Sequence, residues 1–149
     1  MRYAAALSVA ALAFLASPAG AQLGGTMPAA AARAFAASAP GVMPNGAVVT
    51  RSWVDAGGTT INEYATSAGQ IFAYTWSGPT SPDLRQLLGA HFSDYQNGAA
   101  LARGQAGLHA GRVAQSGFVV EAGGRMRGYT GRAWLPDALP AGVSIDDLH

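Results

Sequence analysis

The sequence predicts an α+β domain: an antiparallel sheet in β-β-β-α-β-β order with one main helix packed on one face. Three observations predict it. Runs rich in β-branched and aromatic residues between Ala47 and Trp76 are broken by Gly-containing turns. A single apolar stripe at helical spacing starts at Leu84, and β-like runs return from His109 to Pro136 around a Gly-Gly pair.

Before the first strand the chain reads MRYAAALSVAALAFLASPAGAQ. Arg2 gives a positive start, residues 4–16 an apolar run, and Ala19-Gly20-Ala21 a small-x-small cleavage pattern before Gln22. Residues 1–21 therefore read as a secretory signal peptide. The apolar run is shorter than the ~20 residues that span a bilayer. The expected location is the periplasm or the medium, after cleavage near Ala21. Residues 22–46 are rich in Ala, Gly, Pro and Met, with one short helix expected at residues 29–35. Alanine methyls bury little area, so this stretch is expected to be a flexible or loosely docked lead. Residues 47–149 then form a single domain.

The first half of that domain reads as a three-stranded meander: AVVTRSWVD, TTINEYAT and QIFAYTW, separated by Ala56-Gly57-Gly58 and Ser67-Ala68-Gly69. Strict alternation in the third strand places Phe72, Tyr74 and Trp76 on one face and Ile71, Ala73 and Thr75 on the other. Such an aromatic row either packs on the core, where aromatics gain most from burial, or forms a ligand platform.

The corner SGPTSPD, residues 77–83, ends that strand and starts a helix. Ser81 is the expected N-cap, Pro82 suits the first helical position, and Asp83 complements the positive end of the helix dipole. An anion at the free N–H groups of this start is the weaker reading, since Asp83 already meets them. Leu84, Leu87, Leu88, Phe92 and Tyr95 form the stripe, and Asn97-Gly98 is the expected stop. Residues 99–107 are Gly/Ala-rich and read as a loop.

The second half reads as a strand over residues 109–121, a turn at Ala122-Gly123-Gly124, and a strand toward Pro136. By alternation Arg125, Arg127 and Tyr129 share one face, either as a solvated outer face or as a contact for phosphate or a polyanion, with Arg132 added. The tail LPDALPAGVSIDDLH, with Pro136, Pro140 and Gly142, is expected to lie extended across the sheet or a neighbouring chain.

Composition excludes several chemistries. There is no cysteine, so disulfides, thiol nucleophiles and thiolate metal sites are absent. Nine arginines face eight acidic residues for a formal net charge of +1, which gives no global field for steering a polyanion. No phosphate-binding loop, dinucleotide fingerprint or nucleic-acid motif occurs, and no cofactor is expected. Ser67, in ATSAG, sits between strands rather than on a strand-to-helix elbow. His91, His109 and His149 show no metal-ligand spacing, although His149 lies beside Asp146 and Asp147. Glu63 and Glu121, the two strand acids that could pair for glycoside cleavage, read as outward-facing positions.

The segment GGTTINEYATSAGQIFAYTWSGPTSPDLRQLLGAHFSDY, followed by VVEAGGRMRGYTGRAWLPDALPAGVSIDDL, resembles the family known as domain of unknown function 2844. The resemblance rests on Glu63-Tyr64, Ala68-Gly69, Trp76-x-Gly78-Pro79, Pro82-Asp83-Leu84-Arg85, Gly123-Gly124-x-Met126-Arg127 and Leu139-Pro140-x-Gly142-Val143. It implies a small exported bacterial protein with no assigned activity, and it transfers no catalytic residue.

The functional expectation is a non-enzymatic envelope module that binds a partner protein or a small ligand on the sheet face away from the helix. The candidate contacts are Phe72, Tyr74, Trp76, Arg125 and Arg127. An incomplete sheet leaves edges, so pairing of two copies through an edge, or cover by the tail, is also expected. The alternative is a small periplasmic hydrolase using His91 or His109 with a nearby carboxylate.

Overall fold

The structure, a computed structural model, describes residues 21–27, 47–103 and 110–149. Among these residues the chain forms β1 (Val48–Val54), β2 (Thr60–Thr66) and β3 (Ile71–Gly78). A helical layer follows, made of α1 (Leu84–Leu88), a 3-10 turn (Gly89–His91) and α2 (Phe92–Arg103). Then come β4 (Ala110–Gln115), β5 (Phe118–Arg125) and β6 (Gly128–Trp134), and 3-10 turns at Pro136–Ala138 and Ile145–Asp147. The strands make one antiparallel sheet in the order β1-β2-β3-β6-β5-β4. Two meanders thus meet at the β3–β6 pairing.

The class, the antiparallel sheet and the covering helical layer match the sequence reading, but the order is β-β-β-α-β-β-β. The stretch read as one strand over residues 109–121 contains a two-residue turn at Ser116-Gly117, where Gln115 pairs with Phe118. The Gly-Gly pair read as a turn lies inside β5, and the hairpin turns two residues later, at Met126-Arg127. Gly124 is required by packing instead: a Cβ there would run into the Tyr129 ring across the hairpin.

The helix also differs from the reading. Asp83, not Ser81, is the N-cap, its Oδ1 accepting from the Arg85 and Gln86 N–H groups at 3.0 and 3.2 Å. The helical layer is broken at Gly89, whose φ of +53° suits glycine and ends α1. It does not stop at Asn97-Gly98, because Gly98 is buried against Val113 and Gln115 of β4, where a side chain would clash.

Strict alternation fails in β3. Tyr64 pairs with Ala73 but Ala65 pairs with Ile71, so Phe72 is the extra residue of a β-bulge. The bulge shifts the pleat by one position. Phe72 therefore joins Ala73 on one face, while Ile71, Tyr74 and Trp76 occupy the other.

Each face of the sheet has its own core. On the helix side Leu87 and Leu88 pack with Ile61, Ile71, Tyr74, Trp76, Phe118 and Val120, flanked by half-buried Phe92 and Tyr95. Each fully buried side chain of this kind contributes about 1.5–3 kcal/mol. On the opposite side Val48, Tyr64, Phe72, Val119 and Trp134 are covered by the tail through Leu139, Val143, Ile145 and Leu148. The tail is not extended as read but coils over the sheet in 3-10 turns, the second closed by a Ser144–Asp147 capping box.

The start of the lead is docked rather than loose. Leu23 and Met27 are buried in the helix-side core, Leu23 N–H donates to the Leu87 carbonyl at 2.8 Å, and residues 24 and 25 bond to Ile71 on both sides. The apolar Leu and Met, rather than the alanines, anchor it. Residues 28–46, with the expected short helix, and residues 1–20 lie outside the described residues.

Candidate functional site

Strand register places polar residues in rows that run across the sheet. On the tail side, Ser52, Asn62, Thr75, Arg132, Glu121 and Arg112 are successive cross-strand partners over all six described strands. The next row on that face runs Thr60, Ser77, Thr130 and Gly123. The apolar row of Tyr64, Ala73, Trp134 and Val119 lies on the other flank, and that is the part the tail covers.

This division leaves an open groove of about 690 Å³, floored by the two polar rows and bounded by Leu148 and His149. Its chemistry is fixed by a network. Arg132 donates through Nε to Glu121 Oε2 at 2.7 Å and through Nη1 to Asp146 Oδ1 at 2.9 Å. Arg112 approaches Glu121 Oε1 at 3.5 Å. These partners push the Arg132 guanidinium above its ordinary range. The Asn62 amide donates to Thr75 Oγ1 at 3.2 Å and to the His149 carbonyl at 2.9 Å, which also accepts from the Tyr64 hydroxyl at 2.6 Å. Burial raises the Tyr64 phenol, so it stays a donor. The groove therefore offers fixed hydroxyl, amide, guanidinium and carboxylate groups of balanced charge.

A second polar cluster lies on the helix side. Arg51, Glu63 and Tyr74 are successive cross-strand partners, with Arg51 Nη2 at 3.0 Å and the Tyr74 hydroxyl at 2.8 Å from Glu63 Oε2. Glu63 is fully buried, contrary to its reading as outward-facing. Arg51 and Tyr74 supply the partners that make such burial tolerable. Its Oε1 has no hydrogen-bond partner among the described residues, and burial raises its pKa despite both partners. Tyr74 is pushed up as well, first by burial and then by the Glu63 carboxylate. Arg51 also lies over Trp53 at 4.8 Å and lines a second cleft of about 690 Å³ with Trp53, Asp55, Asp83 and Gln86.

The structure does not gather the sequence-nominated residues into one site. Phe72, Tyr74 and Trp76 are 0 to 4 % exposed, on opposite faces as the bulge dictates. Arg125 and Arg127 are exposed at the β5–β6 hairpin tip, with Arg127 in the turn rather than alternating along a strand. Glu63 and Glu121 stand on opposite sides of the sheet and do not meet. The His91 ring packs on Phe118 at 5.1 Å, and among the described residues it has no carboxylate or serine hydroxyl partner. His109 lies outside the described residues. Among the described residues no group of three His, Asp or Glu is placed to hold a metal, and no helix is long and apolar enough to cross a membrane.

The groove residues Thr60, Asn62, Thr75, Ser77 and Thr130 were missed in sequence because each alone is an ordinary outward strand position. The available signal was their alternation, Thr60/Asn62, Thr75/Ser77 and Thr130/Arg132, which becomes a row only once register is known.

No curated protein and no solved structure matches the chain. The family model described as protein of unknown function (DUF2844) matches residues 19–148, nearly the whole sequence, and the chain belongs to that family.

Proposed function

We propose that the chain is an exported, non-enzymatic envelope module that binds a small ligand or a partner protein in the groove on the face away from the helix. The observation that carries this reading is the unbroken polar row from Asn62 through Thr75 and Arg132 to Glu121, which floors an open groove that the tail borders through Asp146 and His149 beside the apolar row it covers. Interior strands have spent their backbone groups on the ladder, so recognition falls to these side chains. On the same reading the leader is removed near Ala21 and the module works in the periplasm or the medium.

Native mass spectrometry of the chain purified from its own cells tests this, run beside a Thr130→Trp variant in which an exposed groove position is filled. The expected result is an additional mass on the unaltered chain that the variant lacks. Identical spectra from two folded proteins would remove the groove from consideration.

A further inference from the structure

Among the described residues the β5–β6 hairpin outruns the sheet. β3 ends at Gly78 opposite Tyr129, and the last ladder pair, Arg125 with Gly128, lies beyond it together with the Met126-Arg127 turn. Met126 at the apex is 95 % exposed, the most exposed of the large apolar side chains among the described residues. Arg125 and Arg127 flank it and, like Arg85, enter no ion pair among those residues, while Arg51, Arg112 and Arg132 do. Tyr129, also exposed, stands at the base of the tip. Arg127 is the one non-glycine described residue with positive φ, +67°, a conformation that glycine would hold more cheaply.

From this geometry we infer that the hairpin tip is a contact for an anionic lipid surface. The two arginines meet lipid phosphates, Met126 enters the headgroup boundary, and Tyr129 sits at the interface level. A soluble polyanion would use the arginines equally well but has no use for an apolar apex between them. A protruding tip with an apolar point and a cationic collar fits a planar surface that is charged outside and apolar inside. The contact is reversible, because one side chain and two charges are far weaker than an anchor.

Co-sedimentation of the chain, purified in its exported form, with phosphatidylglycerol-rich vesicles tests the assignment, with phosphatidylcholine vesicles and soluble polyphosphate as comparators. Binding is expected to the anionic vesicles alone and to fall as salt is raised. Replacing Arg125 and Arg127 together by Ser is expected to weaken it roughly 30-fold, from about 1 kcal/mol per cation at such a surface. Met126→Ser is expected to weaken it several-fold. Arg127→Gly separates a binding role from a structural one: it relieves the backbone, so thermal stability is expected to hold or rise while vesicle binding falls about fivefold. No binding to anionic vesicles, or binding indifferent to Met126→Ser and matched by polyphosphate, would overturn the inference.

Discussion

Tyr74 and Glu63 face each other across β3 and β2, and the phenol donates to a carboxylate that is buried, next to Arg51, with its second oxygen unpartnered among the described residues. Burial dominates this site and lifts the Glu63 pKa above its ordinary 4.5. A carboxyl with a raised folded-state pKa adds stability that is complete below the unfolded value and is lost as pH rises through the folded one. The unaltered chain should therefore lose stability relative to Glu63→Gln as pH rises above about 4.5. Thermal midpoints of both proteins, taken from about pH 4 to about pH 8, check the sign. A growing advantage of the unaltered chain with pH would mean that Arg51 outweighs burial.

Tyr74→Phe keeps the ring in the core and removes one of the two donors to Glu63 Oε2. Loss of a hydrogen bond to a buried carboxylate should cost about 1–3 kcal/mol, read from urea denaturation with unchanged slope. A cost near zero would show that Arg51 alone satisfies the carboxylate.

The cap of α1 can be assigned by substitution. Asp83→Ala should cost about 0.5–2 kcal/mol, since its side chain holds two backbone N–H groups. Ser81→Ala, at an exposed position outside the helix, should cost less than about 0.5 kcal/mol. Equal costs would argue for the alternative cap.

The tail is a structural cover for the second core. Leu148 is 4 % exposed in the same cluster as Phe72 and Trp134, so Leu148→Ala should cost about 2–5 kcal/mol. Removing residues 144–149 should go further and promote self-association, visible by light scattering, because it bares that core. A stable monomer after truncation would contradict the covering role.

What could be read from the sequence was what depends on local chemistry. The apolar stripe of Leu87, Leu88 and Phe92 and the β-branched runs gave the class, and the Gly/Pro corner gave the strand-to-helix change. What could not be read depends on partners distant in sequence. Gly123-Gly124 looks like a turn until Tyr129 is seen to cross it, and Phe72 looks aligned with Tyr74 until the bulge against Ala65 is seen. Glu63 looks outward until Arg51 and Tyr74 arrive from either side. The groove was illegible for the same reason: its residues come from five strands, and only register lines them up.

The measurement that bears most directly on the central claim is an amide chemical-shift map of the isotope-labelled chain, titrated with a soluble extract of its own cells. The account predicts perturbations centred on Thr60, Asn62, Thr75, Ser77, Thr130 and Arg132, abolished by Thr130→Trp. Perturbations confined to α2 or to the cleft beside Arg51, or a spectrum that does not respond, would contradict it.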